Sequence, residues 1–203
     1  MSEQRSGATD MKRLIAFSSV AHMGFVVIGV FAFTVNGLQG GMMVMISHGI
    51  STGALFLLLG MLYERRHTRL IADFGGLSKV MPVFATIFMI VTFSSVGLPG
   101  TNGFVGEFLI LVGAFESELR VFTVFATTGV ILAAVYMLWM FQRVMMGKVT
   151  NPANENLKDL SAREVIVMLP LLLFIFWIGF YPNTFLSKMN PTLDNLISQV
   201  KTK

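Results

Sequence analysis

From Gly97 to Phe108 the chain reads Gly-Leu-Pro-Gly-Thr-Asn-Gly-Phe-Val-Gly-Glu-Phe, and this stretch breaks an apolar block that otherwise runs from about residue 81 to 115. Proline lacks a backbone donor and distorts a helix interior, so the Pro-Gly step predicts an interruption rather than a continuous span. An interrupted helix at membrane depth survives only where its loose backbone is buried in protein or lines a wet cavity. One carboxylate, Glu107, follows the break directly. Ionisable groups inside a membrane segment are costly and mark functional sites.

The other apolar residues also fall in long blocks, at about 14–35, 41–62, 121–146 and 164–181. Each is long enough to cross a hydrocarbon core of about 30 Å at 1.5 Å per residue. The piece after the break, about 12 residues, is too short to cross alone, so 81–115 reads as one discontinuous span broken at 99–103. The expected fold is therefore an all-α integral membrane protein with about five transmembrane helices, one of them discontinuous. A polar segment, 1–13, precedes the bundle of 14–182, and a polar tail, 183–203, follows as an amphipathic interfacial helix. Thr9 and Asp10 are candidate N-caps of the first span, and Asn36-Gly37-Leu38-Gln39-Gly40 reads as a turn. Tyr136 and Trp139 read as interface anchors. Five crossings place Arg5, Lys12, Arg13, Arg65, Arg66, Arg69, Lys79, Arg143, Lys148, Lys158 and Arg163 on one side, which the positive-inside rule makes cytoplasmic. Charge alone is even-handed between five and six crossings, and block length selects five.

Composition then removes whole classes of function. Only 13% of the 203 residues are charged and 54% are hydrophobic, against about 25% charged in soluble domains. Cysteine is absent, which excludes disulfides, CxxC redox motifs and thiolate-held iron–sulfur clusters in this chain. No phosphate-binding GxxxxGK[ST] motif and no Ser-His-Asp arrangement is visible. The net charge of +4 sits in loops, a topogenic pattern that gives no reason to expect nucleic acid.

The candidate site residues are few. Glu107 is a titratable group beside a half-helix that should begin near Phe104, whose N-terminal dipole would act on it. His22 and His48 lie inside spans with hydroxyls one turn away: Ser18 and His22 share a face, as do His48, Ser51 and Thr52. Each histidine reads either as a proton relay or as a polar residue bonded between packed helices. Pro99, Gly100, Gly103 and Gly106 read as the helix break. His67 lies in a charged loop and is expected to be solvated. No further ligand stands at a spacing that would complete a metal site with the histidines.

At this point the motifs carry a resemblance. Thr9 to Phe25, Ile46-Ser47-His48-Gly49, Tyr63 to Arg69, Phe74-Gly75-Gly76-Leu77 and the Gly97–Phe108 stretch resemble the antiporter-like membrane subunits of NADH:quinone oxidoreductase, respiratory complex I. The likeness is to the M-type branch, chain 4 in mitochondria, because sister subunits usually carry lysine where this chain has Glu107. The resemblance implies a fourteen-helix fold of two inverted five-helix repeats, of which this chain matches the last five helices. It implies that Glu107 is the terminal proton-path residue of the second repeat and that His22 and His48 belong to the same path. The glutamate–lysine pair of the first repeat and the central lysine lie on helices this chain lacks, so a fragment or a truncated product is expected. The implied function is proton translocation in the bacterial inner membrane, driven by electron transfer elsewhere. No cofactor is expected in this chain; NADH, FMN, iron–sulfur clusters and quinone would sit on other subunits. The expected partners are the other membrane subunits and the lipid bilayer. A cation/proton antiporter subunit and a non-conducting structural fragment are the alternatives.

Overall fold

A computed structural model describes residues 9–201. The polar segment 1–8 and the last two residues of the tail lie outside the described part. Eight α-helices follow in order: α1 (Met11–Phe31), α2 (Val35–Arg66), α3 (Leu77–Val80), α4 (Pro82–Ser95), α5 (Asn102–Phe115), α6 (Arg120–Met145), α7 (Ala162–Phe180) and α8 (Asn183–Lys201). No strand occurs among the described residues; Asp10 and Leu70 form an isolated antiparallel bridge. The helices α1, α2, α6 and α7 are each long and apolar enough to span a bilayer. At 14 residues each, α4 and α5 rise only about 21 Å and cannot.

Contacts at the helix ends fix the number of crossings. At one end Met11 donates its N–H to Arg69 O (3.0 Å) and Gly76 donates to Met146 O (2.9 Å), while Arg65 pairs with Glu164. That end therefore gathers the start of α1, the end of α2, the start of α4, the end of α6 and the start of α7. At the other end Gly113 of α5 lies against Thr34 and Gly37, and Gln39 hydrogen-bonds Asn190 of α8. The half-helices α4 and α5 thus complete one crossing between them, and the bundle crosses five times. The basic residues Lys12, Arg13, Arg65, Arg66, Arg69, Lys79, Lys148, Lys158 and Arg163 all belong to the first end.

Several boundaries differ from those expected, each for a local reason. Asp10 caps α1, accepting from Lys12 N at 2.8 Å and Arg13 N at 3.2 Å, so the helix starts before Leu14. The glycine-rich 36–40 segment is not a turn but the first turns of α2, capped by Thr34 Oγ1, which accepts from Gly37 N. Its glycines serve close helix crossing. A Cβ on Gly40 would stand 2.5 Å from Ile110 N, and one on Gly113 would stand 2.2 Å from Gly37 N. Small residues that let backbones approach are how helices pack when lipid removes the hydrophobic drive between them. α2 also runs on to Arg66 and ends at His67, an exposed residue with a left-handed φ of 50°. The tail is helical and amphipathic, with Phe185, Leu186 and Met189 packed on Met43, Val105 and Ile178.

The largest apolar cluster lies toward the basic end, where Phe84, Phe88 and Phe141 stack at 5.8 and 6.1 Å among Leu55, Leu58, Met137 and Met168. Above it the α6–α7 loop is strapped down. Arg65 donates to Glu164 through both terminal nitrogens (2.7 Å each), to Met61 O and Lys158 O (2.8 Å each) and to Asp159 O (3.2 Å). Asp159 in turn accepts from Val83 N (2.8 Å) and Phe84 N (3.0 Å). It supplies the cap that Met81 at the start of α4 does not. Replacing Arg65 by Met strands the Glu164 carboxylate and three carbonyls in a half-buried setting, which should cost about 2–3 kcal/mol. The expected result is a lower melting temperature of the membrane-extracted protein; an unchanged melting curve would contradict this.

Candidate functional site

Five helices meet around Glu107. α1 brings Ser18 and His22, α2 brings Ser47, His48 and Ser51, α4 ends with Ser94 and Ser95, α5 carries Asn102 and Glu107, and α6 carries Tyr136. Glu107 is 8% exposed. Its Oε1 stands 3.4 Å from His22 Nε2.

The histidine's own bonds define its state. Nδ1 lies 2.7 Å from Ser18 O and Nε2 lies 3.0 Å from Ser95 O. Carbonyl oxygens only accept, so both ring nitrogens must donate, and imidazole does that only when it carries two protons. The two carbonyls suit the doubly protonated ring, and the Glu107 carboxyl group stands beside it. Ser95 O belongs to the last turn of α4, where unpaired carbonyls and the helix dipole favour positive charge. The dipole of α5 contributes less than the sequence led us to expect. α5 begins at Asn102 rather than near Phe104, which moves Glu107 into the second turn, and the dipole's effect fades within the first.

The break itself spans 96–101. Pro99 and Gly100 lie in it, but Gly103 and Gly106 do not; both are helical residues of α5. Their lack of a side chain serves contact, since a Cβ on Gly103 would meet Ser94 O at 2.1 Å and one on Gly106 would meet Val44 N at 2.7 Å. Gly97 is the glycine the site needs most. Its φ of +73° favours glycine, and a Cβ there would stand 2.5 Å from Glu107 Oε2.

A polar knot holds the break to α2. Ser47 Oγ donates to Asn102 O (2.9 Å), and Asn102 Nδ2 donates back to Ser47 O (3.2 Å). Ser51 Oγ and Ser94 Oγ lie 2.7 Å apart and both stand within reach of Asn102 Oδ1 (3.2 Å from Ser51), so their two protons serve these three contacts. Asn102 is fully buried. Sequence reasoning passed over Asn102, Ser94 and Ser95, although polar side chains bracketing the break from both sides were a usable signal. It also misplaced Tyr136, whose hydroxyl is buried inside the bundle rather than at a membrane interface.

His48 is placed beside His22, with ring centroids 5.2 Å apart, and Thr52 Oγ1 is 3.2 Å from its Nδ1. A cavity of about 10 Å³, lined by His22, Ser47, His48, Ser51, Ser95 and Glu107, is the space of one water. His67 is remote, in the loop at the basic end. Among the described residues no group of three His, Asp or Glu side chains could hold a metal ion.

Comparison with known proteins places this geometry. Residues 6–133 match the family model for the NADH:quinone oxidoreductase/Mrp antiporter transmembrane region. Over 188 residues, 93% of its length, the chain is 47% identical to NADH-quinone oxidoreductase subunit M of Rickettsia bellii. Over 192 residues, 95% of its length, it is 45% identical to NADH-ubiquinone oxidoreductase chain 4 of Marchantia polymorpha. It spans 38% and 39% of those relatives. Among solved structures, respiratory complex I from Thermus thermophilus with bound NADH contains a chain that superposes with a TM-score of 0.88 at 34% identity, covering 95% of this chain and 41% of that one.

Gly97→Ala tests the site's geometry against a matched control. Gly147 also has a positive φ (+92°) but has open space where a Cβ would stand. Gly147→Ala should carry backbone strain alone, about 1 kcal/mol, and Gly97→Ala about 1–3 kcal/mol more because it also displaces Glu107. Equal losses in melting temperature would contradict the packing of Glu107 on Gly97.

Proposed function

Because the chain belongs to the NADH:quinone oxidoreductase/Mrp antiporter transmembrane family, we propose that it forms the proton-carrying part of an M-type, chain 4-type subunit of NADH:quinone oxidoreductase. In this reading Glu107, His22 and His48 move protons in response to electron transfer that happens on other subunits. NADH, FMN, iron–sulfur clusters and quinone belong to those subunits, and the partners of this chain are the neighbouring membrane subunits in a bacterial inner membrane. The observation that supports it most is a buried carboxyl group 3.4 Å from a histidine whose two ring nitrogens each meet a backbone carbonyl, at the joint between two half-helices.

The chemistry follows from the charges. In the paired state His22 holds the proton and Glu107 is ionised. Transfer of that proton from Nε2 to Oε1 neutralises both groups and removes the donor that held Ser95 O. Which state prevails depends on the local field. At an effective dielectric of about 20, a unit charge arriving at about 10 Å acts with about 1.7 kcal/mol, roughly tenfold in proton occupancy. A charge displaced along the membrane domain can therefore load or unload the pair without touching it. Neutral His22 can also pass protons toward His48, through the one-water cavity that both rings line.

Glu107→Gln in the complete subunit keeps shape and removes the charge. Proton pumping should fall by about tenfold or more, while the complex still assembles. Pumping at the normal rate would overturn the reading. Transport that depends on sodium would favour the cation/proton antiporter alternative.

A further inference from the structure

Where α2 ends and α7 begins, an open groove of about 870 Å³ runs between the two helices. Its apolar walls come from Phe56, Leu57, Gly60 and Met61 of α2 and from Leu157 and Val167. Leu57 is 42% exposed and Val167 is 46% exposed. Gly60 has open space where a Cβ would stand, so the missing side chain leaves a furrow along α2. At 1.5 Å per residue, Gly60 lies about 9 Å and Leu57 about 13 Å short of Arg66, where α2 ends. Val167 lies about 8 Å into α7 by the same measure. That is the depth at which a headgroup layer gives way to acyl chains.

The rim of this groove is charged. Glu64, Arg65, Lys158, Arg163 and Glu164 all line it. Arg65 and Glu164 satisfy each other at 2.7 Å, which leaves two cations and one carboxylate. Lys158, Arg163 and Glu64 are exposed, and among the described residues their side chains form no hydrogen bond or ion pair. The match to this pattern is a phospholipid with an amine: a phosphodiester for the cations, an ammonium for the carboxylate and an acyl chain for the walls. A glycerol headgroup would leave Glu64 facing an anion. A choline headgroup has positive charge but no N–H to donate. A packed protein helix would have to desolvate or pair all three charges.

We propose that the groove between α2 and α7 binds phosphatidylethanolamine, with the phosphate held by Lys158 and Arg163, the ammonium by Glu64 and an acyl chain in the furrow at Gly60. Such a lipid bridges the end of α2 and the start of α7 beside the Arg65–Glu164 clamp. The site is independent of how Glu107 acts.

The test labels the assembled complex in membrane vesicles with phospholipids that carry a photoreactive diazirine in the acyl chain. Three are compared that differ only in headgroup: ethanolamine, glycerol or choline. Cross-links are mapped by mass spectrometry. The ethanolamine lipid should label residues 56–61 and 164–169 most strongly. Lys158→Ala and Arg163→Ala should each lower that labelling about fivefold. Glu64→Gln should erase the preference for ethanolamine over glycerol, and Gly60→Phe should reduce labelling by all three lipids. Assembly should be unchanged, since these side chains hold no structural bond and Gly60 has room for a larger one. Equal or stronger labelling by the glycerol or choline lipid in the unmodified complex would overturn the inference, as would labelling indifferent to the four substitutions. Absence of labelling at the groove, while the exposed Phe125 and Ile131 of α6 are labelled, would overturn it too, by showing that a protein neighbour fills the groove.

Discussion

The structure depends on one charge pair held where charge is expensive. A carboxylate or an imidazolium alone in the bilayer interior would cost several kcal/mol, and a well-bonded partner offsets most of that. Glu107 and His22 stand against each other, and the carbonyls of Ser18 and Ser95 meet the two ring nitrogens. The Ser95 carbonyl faces the ring because α4 stops there. The helix break is therefore part of how the charge is solvated. A continuous helix would pair that carbonyl internally and close the approach of His22.

The break needs its own support. The serines of α2 and α4 and the side chain of Asn102 tie both half-helices to α2, and Gly103 and Gly106 let α5 close onto its neighbours. At the basic end Asp159 caps α4, and Arg65 fixes the loop that carries Asp159. The half-helix that ends at the site is thus anchored at both of its ends. Its position relative to α5 sets the distance between His22 and Glu107.

Much of this was legible in the sequence because membranes impose few and strong rules. Block length gave the spans, Asp10 announced the start of α1, and the Pro-Gly step with Glu107 marked the break. Charge could not separate five crossings from six; contacts at the helix ends do. Glycines misled twice for the same physical reason. At 36–40 and at 103–106 they suggested loose backbone, whereas the folded chain uses them for close contact of α5 with α2 and α4. Periodicity along one helix cannot announce a crossing partner that lies 70 residues away. Tyr136 misled differently. An aromatic with a polar tip near a span's end is an interface anchor by rule, and only the placement of α6 against α1 turns that tip inward. Asn102 was passed over because its partners, Ser47, Ser51 and Ser94, sit on other segments.

The resting protonation of the pair is the most direct test. An infrared spectrum of the assembled complex, from which that of the Glu107→Gln complex is subtracted, isolates the Glu107 side chain. An ionised Glu107 opposite a cationic His22 predicts carboxylate stretching bands and no protonated carbonyl band assigned to that residue at rest. A carboxylic acid band that shifts in D₂O and vanishes with Glu107→Gln would show the pair neutral and contradict the account.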